Sequence, residues 1–305
     1  MDSAYEVDLH VHTTASDGQH SPSEVVRKAK EKGIRVLAIS DHDTVGGIKE
    51  GVEAGIQWGV EVVPAIELST RDEPEKDFFE LHLLGYYINA DHSHLQEKLE
   101  QVQRGRREQK RMVIRRLQDL GFEVPEEEVF ALAAGAVPGS LHVFEVVKRH
   151  NGAGVRGGQE FYEEYLGFGG KAHVPRPFEL SLEEAIQEVL AIGGVPILAH
   201  PGAHPKVRDP EGVVCRATEY GLRGIEVHYP YDKNHPYEGK AISKAEVQAI
   251  VQRFARLADK RKLLKTGGSD FHGNRKPISL GEMGMTYQDY LQFKDRCGRH
   301  ENCGP

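Results

Sequence analysis

The first eighteen residues hold a pair of histidines that could bind a metal ion. His10 and His12 lie one residue apart in an apolar run, and Asp17 follows five residues after His12. Because residues i and i+2 of a strand project to the same side, the two imidazoles would point together. The short turn before Asp17 could bring its carboxylate back toward them. An isolated His-x-His pair is weak support for a metal site. The prediction therefore depends on which side chains accompany the other apolar runs.

Similar side chains accompany the other short apolar runs of the chain. Histidine and carboxylate are ligands of Zn²⁺, Mn²⁺ and Fe²⁺, and the absence of cysteine among them argues against a structural zinc site. Core histidines that only fill space would not recur at the same end of successive strands. The sequence therefore predicts a cluster of divalent ions, which suits phosphate ester hydrolysis. These runs add Asp41, His42, Asp43, Glu67, His82, His200, Glu226, His228, Asp270 and His272.

The elements that must position these side chains alternate between strands and helices. Short runs rich in Val, Ile and Leu are typical of strands, and amphipathic stretches separate several of them. One such helix is expected after Ser21, with Pro22 at its first position, Glu24 completing a capping box and Gly33 ending it. This alternation indicates a parallel sheet, open or closed into a barrel, whose functional groups gather at the carboxyl ends of the strands.

The alternation breaks in the middle of the chain. Helical patterns fill the segment from about residue 92 to residue 173. We therefore expect an α/β barrel formed by residues 1–91 and 174–286, a helical insertion domain over 92–173, and a polar C-terminal tail over 287–305.

Composition limits the classes of partner. The chain has 305 residues and a formal net charge of −8, so a protein that binds duplex nucleic acid through a basic surface is not expected. Its three cysteines include no C-x-x-C pair, which disfavours a disulfide framework. No signal segment and no membrane-length apolar run is present. We expect a cytoplasmic protein with no membrane contact and no obligate protein partner.

Taken together, the motifs resemble those of the PHP (polymerase and histidinol phosphatase) family, in its stand-alone phosphoesterase branch. The resemblance extends to about residue 286 and is carried by "DLHVHTTASDG", "AISDHDT", "PAIELST", "LHLLGYYI", "VPILAHPG", "GIEVHYPY" and "TGGSDFHG". It implies a distorted (β/α)7 barrel and three divalent ions, Mn, Fe or Zn. It also implies that a metal-bridging hydroxide attacks the substrate phosphorus.

The resemblance assigns nine ligands to the three ions by matching motif. We expect Asp41 and Asp43 to orient His42, and Glu226 to support the ligands without binding metal. Three divalent ions, three ligand carboxylates and one hydroxide leave a charge of about +2, which matches a phosphate monoester dianion. The implied ligands are His10, His12, Glu67 and Asp270 for the first ion, Glu67 as a bridge with His82 and His200 for the second, and Asp17, His42 and His272 for the third.

The resemblance also implies a class of substrate. Members of this branch remove the 3′-phosphate from nucleoside 3′,5′-bisphosphates, and some trim short RNA from its 5′ end. A small phosphorylated nucleotide or short 5′-phosphorylated RNA is therefore the expected substrate. Two alternatives stay open: the same chemistry on a cyclic sugar phosphate or another phosphomonoester, and a catalytically silent PHP module that serves as a structural or partner-binding domain.

The sequence departs from the branch at positions expected to face the substrate. In "GSLH", Ser140 replaces a usual arginine, whereas His142 is kept. His204 follows His-Pro-Gly, and His228 stands where tyrosine is common. We expect these four side chains to contact substrate, and His204 or His228 to protonate the leaving oxygen. Serine cannot replace a bidentate arginine, so the recognition of a second phosphate is the open question.

Other cations could replace the missing arginine. Arg156 and Arg176 are two candidates, and the run from Arg104 to Arg116 holds seven basic residues in thirteen. That run could be a track for an RNA backbone, or a solvated helix face paired with nearby glutamates. We favour the solvated face.

Overall fold

A seven-stranded barrel, nearly closed, forms the body of the protein. The computed structural model describes residues 5–152, 155, 157–233 and 241–300, and Arg156 lies outside this part of the chain. The strands are hydrogen-bonded in chain order. The end of the first strand meets the segment after the last one, where Asp270 N donates to the carbonyl oxygen of His10 at 2.8 Å. The strands are β1 (Val7–Val11), β2 (Val36–Ile39), β3 (Glu61–Ser69), β4 (His82–Tyr86), β5 (Val195–Leu198), β6 (Gly224–His228) and β7 (Leu264–Gly267).

Helices surround this barrel and fill the predicted insert. The capping box of the first helix is confirmed: Ser21 and Glu24 cap each other's backbone N–H groups. No helix among the described residues combines the length and the apolar character needed to cross a bilayer. The helices are α1 (Pro22–Glu31), α2 (Ile48–Trp58), α3 (Ser93–Asp119), α4 (Glu126–Leu132), α5 (Ser140–Asn151), α6 (Gly158–Phe161), α7 (Leu182–Ala191), α8 (Pro210–Glu219), α9 (Lys244–Arg261) and α10 (Tyr287–His300).

The expectation of a wholly parallel sheet is wrong at β4. This strand runs antiparallel to both neighbours, with Ser69 opposite His82 and Leu83 opposite Leu198. The link from β3 to β4, residues 70–81, contains only the short 3₁₀ turn Pro74–Lys76 and no helix of the kind that usually carries the chain back for a parallel neighbour. As a result, His82 begins its strand and still lies at the same end of the barrel as Glu67.

The insert has a hydrophobic cluster of its own and is also anchored to the barrel. The second half of α3 contributes Ile114 and Leu117 to a cluster with α4 and α5. The first half contributes Leu95 and Leu99 to the large core cluster around the barrel. Helix α3 therefore packs both against the core around the barrel and within the helical cluster.

The expectation of a polar tail after residue 286 is wrong over the described part of that segment. Residues Tyr287–His300 form α10, and its Tyr290, Phe293 and Cys297 are buried against the barrel strands. The ring of Phe293 meets those of Tyr86 and Tyr87 at centroid distances of 5.8 and 6.1 Å. The three buried residues of α10 have the spacing of one helix face, but polar residues separate them in the sequence. The segment therefore resembled a polar tail.

We predict that α10 stabilises the barrel through this face. Phe293→Ala should lower the free energy of unfolding by about 3–5 kcal/mol, because it removes a buried aromatic ring and leaves a cavity. Leu291→Ala is the matched control, since Leu291 is 46% exposed on the same helix, and should change little. Urea denaturation of the metal-free protein measures both. Equal effects of the two substitutions would contradict the packing described for α10.

Candidate metal centre

The carboxylate of Glu67 lies at the centre of the barrel mouth, 1% exposed, with histidines on both of its oxygens. This arrangement is that of a carboxylate able to bridge two cations. Its Oε1 lies 3.0 Å from His82 Nδ1 and 3.2 Å from His200 Nε2, and its Oε2 lies 3.0 Å from His42 Nδ1, 3.2 Å from His12 Nε2 and 3.3 Å from His10 Nε2.

All nine side chains predicted as ligands come together in overlapping groups around Glu67. Within each group the candidate ligand atoms lie within 4.8 Å of one another. The grouping differs in part from the one implied by the resemblance, since His12 joins the Asp17 group and His200 joins the Asp270 group. Their role as metal ligands stays a prediction. The groups are His12, Asp17, His42 and His272; His10, His12 and Glu67; His10, His200 and Asp270; and His42, Glu67 and His82.

Tight backbone turns place two of these groups at the mouth. Gly18 N donates to the Thr13 carbonyl at 2.9 Å, and a Cβ at position 18 would lie 2.5 Å from the carbonyl oxygen of His12. Only glycine fits the turn that brings Asp17 back. His200 and Asp270 have φ angles of 28° and 55°, a strained region for residues other than glycine. Strain of this kind clusters at functional sites.

We call the nine side chains around Glu67 the ligand ring, or simply the ring. Hydrogen bonds from groups outside this ring determine which histidine nitrogens face its centre. Glu226 accepts from His10 Nδ1 at 3.0 Å and from the backbone N–H of His200 at 2.9 Å. The Nδ1 of His272 lies 2.8 Å from the carbonyl oxygen of Asp270, so that nitrogen carries the proton. In both rings Nε2 is therefore the nitrogen that faces the carboxylates and is available to a metal ion. Such outer partners orient metal-binding histidines.

The ring contains buried polar atoms that need a partner. Among the described residues, His10 Nε2, both nitrogens of His12, His42 Nδ1 and Glu67 Oε2 have no hydrogen-bond partner. Buried polar atoms in proteins are nearly always satisfied, so these exceptions require an explanation. Divalent cations would satisfy Glu67 Oε2 and one nitrogen of each histidine, and the donor set of imidazole and carboxylate fits Zn²⁺, Mn²⁺ or Fe²⁺.

Charges around the ring oppose the effect of burial on proton affinity. Burial raises the pKa of Glu67, but His42, His10 and His82 lower it more, so it is held well below its usual range. Burial lowers the pKa of His12, but the nearby carboxylates of Asp270 and Glu67 raise it to about 9. Burial lowers the pKa of His42 well below its usual range. Without a metal ion, His12 therefore favours its protonated form beside Asp270 and Glu67.

The structure shows Asp41 and Asp43 with partners other than His42. Asp41 accepts from Thr13 N at 2.7 Å and from Ser16 Oγ at 2.6 Å. Asp43 pairs with Arg106 of α3. Among the described residues neither aspartate makes a hydrogen bond or ion pair with His42, so no contact supports their predicted role in orienting that imidazole. They secure the Asp17 turn and the insert instead.

The structure also changes the expectation for His228. Pairing between β6 and β7 shifts register between Glu226 and His228, which changes the face that later side chains occupy. The charges that act on His228 include Asp289 and Lys265, away from the ring, as well as Glu226. The next residue faces the ring: Tyr229 donates to Asp270 Oδ2 at 3.0 Å, and its ring lies 4.9 Å from that of His200. The predicted contact and acid roles of His228 are therefore not supported.

His204 lies beside the ring, as expected for a residue that reaches the substrate. Its imidazole is 5.1 Å from that of His200. It lines a small pocket together with His82, Glu80 and Tyr162. This position is compatible with proton transfer near the His82–His200 side of the centre.

The start of α5 places the insert directly against the Asp17 group. A Cβ at Gly139 would lie 2.9 Å from Asp17 Oδ2. His142 is buried, and its Nδ1 accepts from Gly139 N at 2.9 Å. Burial is the main cause that lowers the pKa of His142 to about 4. A neutral His142 then carries its proton on Nε2 and can donate one hydrogen bond.

A buried lysine missed by the sequence interpretation lies next to Ser140. Lys110 Nζ donates to Ser140 Oγ at 3.4 Å, and Lys110 is 8% exposed. Burial, together with the nearby guanidinium groups of Arg106 and Arg176, lowers its pKa to about 7. Arg176 itself pairs with Glu179 at 3.2 Å. The basic composition of α3 was the only hint of this lysine in the sequence. The spacing of the basic residues along the helix did not show which of them face the protein interior.

The basic run of α3 therefore divides between two surroundings. Arg111 is exposed and pairs with Glu126 at 3.0 Å, as a solvated helix face would. Arg106 and Lys110 are buried at the barrel mouth. Arg106 and Arg107 line a cavity of about 310 Å³ together with Asp17 and His42. The inner face of α3 thus supplies positive charge beside the candidate metal centre.

Comparison with known proteins agrees with this geometry. The sequence profile of the PHP domain matches residues 8–170. A 5′-3′ exoribonuclease of Haemophilus influenzae is 35% identical over 279 residues, covering 90% of this chain and 93% of its own. A phosphoribosyl 1,2-cyclic phosphate 1,2-diphosphodiesterase of Eggerthella lenta is 29% identical over 269 residues, covering 87% and 94%. A 3′,5′-nucleoside bisphosphate phosphatase of Chromobacterium violaceum is 26% identical over 277 residues, covering 87% of each chain.

A solved structure shares the whole fold. A candidate metal-dependent phosphoesterase from Bifidobacterium adolescentis superposes with a TM-score of 0.80 and 24% identity, covering 97% of this chain and 98% of its own. The barrel and its ring of histidines and carboxylates define an enzyme of the metal-dependent phosphoric ester hydrolase class. More specifically, the chain belongs to the PHP domain family.

We predict that metal affinity depends on pH through the protonated histidines of the ring. In the metal-free protein a cation must displace the proton of His12, whose pKa is about 9. The Mn²⁺ affinity should therefore rise between about pH 6 and 8.5, by about tenfold per pH unit for each displaced proton. Calorimetric titration of the metal-free protein measures this, with proton release as a second readout. An affinity that does not change with pH would show that the ligands are already deprotonated.

Proposed function

We propose that the chain binds three divalent ions and removes the 3′-phosphate from nucleoside 3′,5′-bisphosphates, or trims short 5′-phosphorylated RNA. One observation carries this proposal: a buried cation, Lys110, lies beside Ser140 at the point where the insert meets the ligand ring. A substrate with two phosphates could place one at the ions and the other at Lys110. The names of the Haemophilus and Chromobacterium relatives support both substrate types.

The nine ring residues would hold the ions in the overlapping groups described above. When bound, divalent ions activate water and neutralise charge on phosphoryl oxygens. Glu67 would supply negative charge to the bound ions, while Glu226 keeps His10 turned inward. The net positive charge expected for the loaded ring favours a dianionic monoester over a monoanionic diester.

The insert contributes the groups that would recognise the second phosphate. Lys110 and Arg106 come from α3, and His142 comes from α5. Neutral His142 would donate one hydrogen bond through Nε2 without titrating near neutral pH, since its pKa is about 4. Lys110 would replace the arginine that the resemblance predicts at Ser140. An anion bound beside Lys110 would also favour its charged form.

His204 is the proposed proton donor to the leaving oxygen. It is buried next to His200, on the side of the ring that faces the small pocket with Glu80 and Tyr162. A donor within reach of the leaving group typically contributes about 10²–10⁴-fold to such a reaction.

We propose a direct comparison of substrates as the test. The Mn²⁺-loaded protein should cleave adenosine 3′,5′-bisphosphate with a higher kcat/KM than AMP or an aryl phosphate, because only the bisphosphate uses both subsites. Short 5′-phosphorylated RNA and a ribose cyclic phosphate complete the set. A bisphosphate no better than the aryl phosphate would refute the nucleotide assignment. Preference for the cyclic phosphate would favour the activity named for the Eggerthella relative.

A substitution at Lys110 tests the second-phosphate contact separately. Lys110→Met should lower kcat/KM for the bisphosphate by roughly 10- to 150-fold, since a hydrogen bond to a charged group contributes about 1.5–3 kcal/mol. The same substitution should leave aryl phosphate hydrolysis nearly unchanged. Lys148→Met is the control, because Lys148 is exposed on α5. Equal losses on both substrates would place Lys110 outside the second-phosphate site.

A further inference from the structure

The two carboxylate oxygens of Asp270 have different surroundings. Oδ1 faces the histidine ring, 3.1 Å from His12 Nε2 and 3.6 Å from His10 Nε2. Oδ2 faces away from those histidines and accepts from Tyr229 Oη at 3.0 Å and from Lys276 Nζ at 3.0 Å. Two donors therefore bind the one oxygen that points away from those two histidines.

Both donors are held in place by their own surroundings. Tyr229 is fully buried, and its ring packs between those of His200 and Tyr231, at centroid distances of 4.9 and 5.1 Å. The side chain of Lys276 is 15% exposed. Tyr229 follows the register shift of β6, while Lys276 lies in the segment after β7. The donors therefore reach Asp270 from two different parts of the chain.

The backbone of Asp270 alone does not determine the direction of its carboxylate. Its φ of 55° is an uncommon conformation, and rotation about χ2 would exchange the two oxygens at little cost. Hydrogen bonds from a hydroxyl and an ammonium group to Oδ2 remove that freedom, because a charge-assisted bond is roughly twice as strong as a neutral one.

We propose that Tyr229 and Lys276 are positioning residues that make Asp270 a one-oxygen metal ligand. By binding Oδ2, they keep Oδ1 directed at His10 and His12. This inference rests on the proposal that Asp270 binds a metal ion. Neither residue needs to touch the substrate, which separates this role from that of Lys110 or His142.

Metal binding by three variants tests the inference. Tyr229→Phe and Lys276→Met should each weaken Mn²⁺ binding by about 10- to 100-fold, the usual effect of removing an outer partner of a metal ligand. Lys276→Arg should keep near-wild-type affinity, since it retains a cationic donor. Calorimetry on metal-free protein gives the affinities, and circular dichroism establishes that each variant is folded.

Controls come from the same neighbourhoods. Tyr231→Phe removes the hydroxyl of the adjacent buried tyrosine, and Lys233→Met removes an exposed lysine that pairs with Glu282. Both should bind Mn²⁺ as the wild type does. If Tyr229→Phe and Lys276→Met also bind Mn²⁺ normally but raise KM, the two residues act on substrate and the inference is overturned.

The background of Asp270→Ala separates this inference from the metal assignment itself. Asp270→Ala alone should weaken Mn²⁺ binding, and adding Tyr229→Phe or Lys276→Met should then have little further effect, because both act through Asp270. Full additional losses in that background would overturn the positioning role. Normal Mn²⁺ binding by Asp270→Ala would instead refute Asp270 as a ligand.

Discussion

The burial of one carboxylate among five histidines is the constraint on which the rest of the structure depends. Glu67 is almost fully buried, and an isolated buried carboxylate is costly. Imidazole groups surround both of its oxygens, so in the metal-free protein shared protons offset that cost. Bound cations would replace those protons. The barrel brings together ligands from strands that are far apart in sequence, and the reversal of β4 places His82 at the same mouth.

Orientation of the ring comes from groups that are not themselves ligands. Glu226 and the carbonyl of Asp270 determine which nitrogens of His10 and His272 face inward. Tyr229 and Lys276 act in the same way on the carboxylate of Asp270. This outer layer is built from the strand ends and from the segment after β7. The helical segment places Arg106 beside Asp17 and His42, so under the proposed function the chemistry and the recognition of the substrate would come from different parts of the chain.

The sequence was sufficient for the barrel class and for the set of side chains that meet at its mouth, because strand-end motifs are local patterns. It was insufficient for features that depend on contacts between distant parts of the chain, such as strand direction and side-chain orientation. The direction of β4 goes with a link that contains no crossover helix. Because of the register shift in β6, Tyr229 rather than His228 contacts the ligand ring. Lys110 turns inward because α3 crosses the mouth, which its basic composition does not reveal. Helix α10 has a mostly polar sequence, and its three buried side chains are recognised only from their packing against the barrel.

Anomalous diffraction from crystals of the Mn²⁺-loaded protein tests the central claim most directly. We expect manganese peaks on both sides of Glu67, one near Oε1 with His82 and one near Oε2 with His10, and a further peak beside Asp17. Peaks on only one oxygen of Glu67 would contradict its role as a bridge. The absence of any peak within the ring would contradict the metal centre as a whole.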